Sequence, residues 1–133
     1  MNGNPWARHY QAAWDNRASD PTFPLWFRMM ALAYGRHEAN GHANFKRGQL
    51  SWILGTPQVP GPGFHRVERS YLQRTLKVVI GNGLLAEGSC TECLIVPGHA
   101  VAGGLGDPDA PCPVHIRKRR KKTPPQLRIV VDE

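Results

Sequence analysis

The strongest constraint in this chain is a pair of short pairs: Cys90-Thr91-Glu92-Cys93 and, after eighteen residues, Cys112-Pro113-Val114-His115. Two residues separate the donors within each pair, so each pair can wrap one edge of an ion. The long span brings the second pair back to complete a tetrahedron. The arrangement uses all three cysteines of the sequence and gives the odd one a histidine as partner. A disulfide is not expected in a reducing cytosol. The spacing therefore predicts a structural zinc ion held by Cys90, Cys93, Cys112 and His115. His99, in the intervening loop, competes for the fourth position, and spacing favours His115.

An ion also answers a packing problem. Residues 97–111 hold four glycines and three prolines and few large apolar groups, so they build no core unaided. A structural zinc contributes on the order of 10 kcal/mol to such a segment. Three thiolates and one imidazole leave no open position for a reactive water. The His-x-Glu motif of zinc deaminases is absent. His37-Glu38-Ala39-Asn40-Gly41-His42 is not a metalloprotease motif either, since histidines five apart stand about 140° from each other on a helix. With no nucleophile elbow, phosphate loop or dinucleotide fingerprint, the chain reads as a non-enzyme without catalytic residues.

The net charge is +7, from 17 basic and 10 acidic residues, and its distribution is uneven. Arg117-Lys118-Arg119-Arg120-Lys121-Lys122 supplies six cations, so the remainder is close to neutral. Within that remainder, residues 28–77 hold eight bases against two acids, Glu38 and Glu68. Such asymmetry suits a surface facing a polyanion. No apolar run approaches a membrane span. Met-Asn-Gly-Asn-Pro-Trp lacks the features of a signal peptide. The expectation is a soluble, cytoplasmic, nucleoid-associated protein.

At 133 residues the chain has room for one modest core. Asn4-Pro5 predicts a helix start, with Trp6, Tyr10 and Trp14 on one face down to Arg17. Ser19 to Pro24 reads as a linker, completing an N-terminal unit over residues 1–23. Leu25 to His37 predicts a core helix with Trp26, Met29, Met30 and Ala33 inward, ended by Asn40-Gly41. A shorter helix follows from Lys46 to Leu54, then a Pro/Gly-rich loop from Gly55 to Gly63. The third helix spans Arg66 to Gly81, burying Val67, Tyr71, Leu72, Leu76, Val79 and Ile80. Leu84-Leu85-Ala86 and Cys93-Leu94-Ile95-Val96 read as two strands around Gly88-Ser89. Leu127 to Val131 reads as a short terminal strand.

Three helices and a β-hairpin, over residues 24–97, follow the element order of a winged helix-turn-helix. This segment resembles that family, and in particular the small DNA-binding proteins of actinobacterial phages. The resemblance rests on Leu32-Ala33-Tyr34-Gly35-Arg36-His37-Glu38, Asn40-Gly41-His42-Ala43-Asn44-Phe45, Gly48-Gln49-Leu50-Ser51-Trp52-Ile53-Leu54-Gly55 and Gly83-Leu84-Leu85-Ala86-Glu87-Gly88-Ser89. The expected fold is α+β: a winged helix-turn-helix with a zinc-binding extension over residues 88–116 and a basic tail over 117–133.

The resemblance implies that helix 66–80 enters the major groove of double-stranded DNA. Arg66, Arg69, Ser70, Gln73, Arg74 and Lys77 share its polar face. Arg69, Gln73 and Arg74 are the expected base readers, with Arg66, Ser70 and Lys77 nearer phosphate. Lys46 and Arg47 would hold a phosphate at the start of the preceding helix. Arg117, Lys118, Arg119, Arg120, Lys121 and Lys122 would add salt-sensitive affinity. The resemblance favours a transcription regulator. The alternatives are a replication-initiation protein, or an adaptor that grips a host protein such as RNA polymerase.

Overall fold

Helix α2 (Leu25–Arg36) forms where the sequence places its densest apolar run. Met29, Ala31, Leu32 and Ala33 lose all exposure within it. The computed structural model describes residues 10–57, 63–98 and 105–122. Along them follow α1 (Gln11–Ala18), α2, β1 (His42–Asn44), α3 (Gln49–Ile53), β2 (Thr56–Pro57), β3 (Phe64–His65), α4 (Arg69–Gly81), β4 (Cys93–Ile95) and α5 (Pro113–Lys122). These are five helices with two small antiparallel sheets, β1–β4 and β2–β3. The expected helix start at Asn4-Pro5, with Trp6, and the terminal strand lie outside the described residues. No helix among those described is long and apolar enough to cross a membrane.

Trp14 docks on the domain's own core, as an aromatic at that helix position should. It packs edge-on to Tyr34 at 5.2 Å and lies 6.3 Å from Phe27. Tyr10 stays 70% exposed. The main core joins Leu32, Leu50, Leu54, Leu72, Leu76, Val79, Leu85 and Leu94, drawing on every element from α1 to β4 except the β2–β3 hairpin.

One cation counted toward the basic surface is not there. Arg28 is only 3% exposed. Its guanidinium donates to the carbonyls of Ala18 (2.8 Å), Leu54 (2.9 Å), Ile53 (3.3 Å) and Gly55 (3.2 Å). These are the open C-terminal ends of α1 and α3, where backbone carbonyls lack intrahelical partners and the helix dipole is negative. Arg36 is also engaged, at 2.7 Å from Asp15.

Two helix starts and one buried face differ from expectation. The second helix starts at Gln49 because Gly48 sits at φ +80°, outside helical space. Lys46 and Arg47 therefore precede it, and the Lys46 N–H is taken by Gln49 Oε1 at 2.8 Å. Helix α4 starts at Arg69, since Glu68 is extended and the Val67 N–H bonds the Ser51 carbonyl at 3.0 Å. Its buried face is Leu72, Thr75, Leu76 and Val79, whereas Tyr71 is 49% exposed.

The expected hairpin also rearranges. The N–H groups of Leu84 and Leu85 return to the Val79 carbonyl at the end of α4, helped by Gly83 at φ +75°. They are thus unavailable to a ladder, and no strand forms at 84–86. β4 pairs instead with β1.

Arg28→Ala would leave four carbonyls without their shared donor. Its unfolding free energy in urea is expected to fall by about 3 kcal/mol or more, with Arg28→Lys recovering part of the loss. Wild-type stability in Arg28→Ala would refute the role given to this side chain.

Candidate metal centre and basic groove

β1 and β4 pair with His42 opposite Ile95, Ala43 opposite Leu94 and Asn44 opposite Cys93. Side chains alternate between the faces of a strand. Ala43 and Leu94 enter the main core at 1% and 0% exposure. His42, Asn44, Cys93 and Ile95 are left on the other face. There Cys93 joins Cys112 and Val114 in a second, much smaller buried cluster, with Cys90 and Ile95 against it.

Helix α5 begins at this cluster. The Cys112 carbonyl accepts the Ile116 N–H at 3.1 Å, which makes Cys112 the cap and Pro113 the first helical residue. Burial pushes the Cys112 thiol up, but the His115 ring and the backbone N–H groups of His115 and Val114 outweigh it and lower its pKa. The sulfur thus occupies the place a serine or aspartate oxygen takes in an ordinary cap. Cys93 differs: burial, then the neighbouring Cys112, pushes its thiol far above the usual range.

One donor atom from each of His42, Cys93, Cys112 and His115 lies within 4.8 Å of all the others. The Cys93 and Cys112 sulfurs are 3.7 Å apart. A tetrahedron with bonds of about 2.3 Å has an edge of about 3.8 Å, so this spacing fits two thiolates on one ion. His42 Nδ1 is 3.2 Å from Cys93 Sγ. Burial, and then His115 nearby, lowers the His42 pKa, favouring the neutral ring that binds metals. His115 Nε2 lies 2.8 Å from the Gly88 carbonyl. A carbonyl only accepts, so Nε2 carries the proton and Nδ1 the lone pair. That Nδ1 is buried among the cluster, and the Cys112 sulfur, then the Gly88 carbonyl, raise the ring's pKa, so an ion binding there would displace a proton from Nδ1. A proton-bearing nitrogen tied to a carbonyl, with its twin turned inward, is the usual support of a metal-bound histidine.

Three of the four expected ligands are therefore together, and the fourth member is His42 where spacing had placed Cys90. Cys90 is half-buried beside the cluster, its N–H bonded to the Cys93 carbonyl at 2.8 Å, but it is not one of the four. The substitution follows from the β1–β4 register, which brings His42 in from 51 positions away. The alternation His42-Ala43-Asn44-Phe45, polar and apolar by turns, was the available signal for a strand there. Asn44 supports the site, its Oδ1 3.3 Å from Cys112 Sγ. His99 lies outside the described residues.

Beside the centre runs a groove of about 1210 Å³. Arg69, Ser70, Gln73, Arg74 and Lys77 of α4 line it, joined by Arg47 and Arg66 from the segments preceding α3 and α4. Its remaining lining includes the Ser89–Glu92 turn and Arg117 and Lys118 of α5. Arg117 is ion-paired with Glu92. Lys46 is exposed but outside the lining. Arg119, Arg120, Lys121 and Lys122 continue α5, so the basic run begins as helix and not as a free tail.

Comparison with protein-family models, curated proteins and solved structures found no match. The class defined by fold and site is thus a mixed α/β protein with a His/Cys cluster compatible with a metal ion.

His42→Ala and His115→Ala are each expected to lose bound metal in elemental analysis, while Cys90→Ala retains one ion per chain. Metal retained in His42→Ala and lost in Cys90→Ala would instead restore the ligand set read from spacing. Because burial holds the proton on Cys93, metal uptake should release acid, and affinity should weaken as pH falls.

Proposed function

We propose that this chain is a double-stranded DNA-binding protein in which a structural zinc ion fixes a basic helix beside the recognition helix. The observation that carries this reading is the groove, where seven cations from separate parts of the chain face one space alongside two acids, Glu68 and Glu92. Mutual repulsion makes such convergence costly unless a polyanion fills it. Two thiolates and two imidazoles suit zinc among the common divalent ions, and four protein donors suit a structural role.

The helices α2, α3 and α4 come in the order of a winged helix-turn-helix and support that fold, although β1 and the β2–β3 hairpin stand between them and a single strand, β4, follows. In this reading α4 presents Arg69, Gln73 and Arg74 to base edges. Arg47, Arg66, Lys77, Arg117 and Lys118 hold phosphates on either side. A role in regulating transcription, in a phage or its bacterial host, fits such a small single reader.

The two basic groups should fail differently. Deleting residues 117–133 is expected to weaken binding to every duplex and flatten the dependence on salt. Gln73→Ala or Arg74→Ala should cost about 1–3 kcal/mol on a preferred site found by selection, and relax specificity there. If electrophoretic shifts show neither effect while a host protein is lost from pull-downs, the groove serves a protein partner.

A further inference from the structure

Two large aromatic side chains next to the groove are not used by this reading. Trp52 is 52% and Phe64 46% exposed. They come from different elements, α3 and β3, yet their rings stack with centroids 5.8 Å apart and planes 10° from parallel. Trp26 and Tyr71 are exposed to a similar degree, but among the described residues only Trp52 and Phe64 stack face to face, and together they make one contiguous apolar surface.

The pair is held in place. Trp52 belongs to α3, whose C-terminal carbonyls are tied to Arg28. Phe64 is fixed by the pairing of β2 and β3, opposite Pro57. Gly55 lets the two approach, since a Cβ there would lie 2.4 Å from the His65 carbonyl and 2.6 Å from the Phe64 ring. The Arg66 guanidinium stands 5.8 Å from the Trp52 ring and also lines the basic groove. The aromatic surface and the cationic groove therefore meet at one residue.

We propose that Trp52 and Phe64 form a stacking platform for an unpaired nucleobase, with Arg66 holding the phosphate that links it to a strand in the groove. Every base has a π-face that can stack on an aromatic ring, and a cationic groove carries the backbone that delivers it. The partner this fits is DNA with a locally opened or single-stranded end. A purely apolar protein surface has no use for the flanking cations. The proposal rests on the nucleic-acid reading of the groove and adds a preference for unpaired ends.

The test uses the full metal-loaded chain, a blunt duplex, and the same duplex carrying an unpaired thymidine extension, compared by fluorescence anisotropy. Wild type should bind the extended duplex about tenfold more tightly, and Trp52→Leu with Phe64→Leu should erase that preference while leaving blunt-duplex affinity unchanged. As a check that does not depend on a truncated side chain, oligothymidylate should quench tryptophan emission in wild type. Trp52→Phe should abolish the quench yet keep the binding. No preference in wild type, or equal loss on both duplexes, overturns the platform. Blunt-duplex binding without preference or quench sinks the platform alone, whereas quenching by oligothymidylate without duplex binding sinks the duplex reading alone.

Discussion

A buried guanidinium is the constraint on which the described structure turns. Arg28 has no salt bridge among the described residues, and burial lowers its pKa, opposed only by Asp20. What compensates is geometry, because a planar fork of five N–H donors meets carbonyls converging from two helix ends. This bond set fixes where α3 stops. The end of α3 sets Gly55 and the β2–β3 hairpin, and Ser51 just before it receives the Val67 N–H that leads into α4. The position of α4 is thus inherited, step by step, from one side chain in α2.

The other half of the molecule solves a different problem. Its own apolar cluster has three buried members, Cys93, Cys112 and Val114, two of them sulfur donors. So few groups cannot offset the ordering of a helix and a loop rich in glycine and proline. A metal ion at the His/Cys cluster would supply in four bonds what the missing core would have supplied in many contacts. The site's protein scaffold is already arranged for it, through the Gly88 carbonyl on His115, Asn44 at Cys112 and the backbone N–H groups at the helix cap.

Much of this was legible in the sequence, and the failures have physical causes. α2 and the core of α4 were readable because their apolar residues recur at helical spacing over three turns. Cys93, Cys112 and His115 were readable because ligand spacing is local. His42 was not, since its membership depends on strand register, a relation between distant segments that no spacing records. The same blindness turned Leu84–Ala86 into a strand, when the N–H groups of Leu84 and Leu85 were already owed to the end of α4 and only Ala86 bonds β4, at the Ile95 carbonyl. Arg28 was miscounted as surface charge because composition cannot tell a cation in water from one among carbonyls. Tyr71 lies outside the buried stripe of Leu72, Thr75, Leu76 and Val79, whose i, i+3, i+4, i+7 spacing includes a threonine that a count of apolar residues passes over.

Cys112 caps α5 and is also a candidate ligand, which gives the basic run a fixed rotational origin. Each residue added to a helix turns every later side chain by about 100° around the axis. An insertion between His115 and Arg117 would not merely lengthen a loose charged end, as it would in an unstructured segment. It would swing Arg117 and Lys118 away from the groove and part Arg117 from Glu92. The spacing from the last ligand to the first cation therefore behaves like a key cut to a phase. Over evolutionary time it should tolerate exchange of one cation for another far better than any change of length.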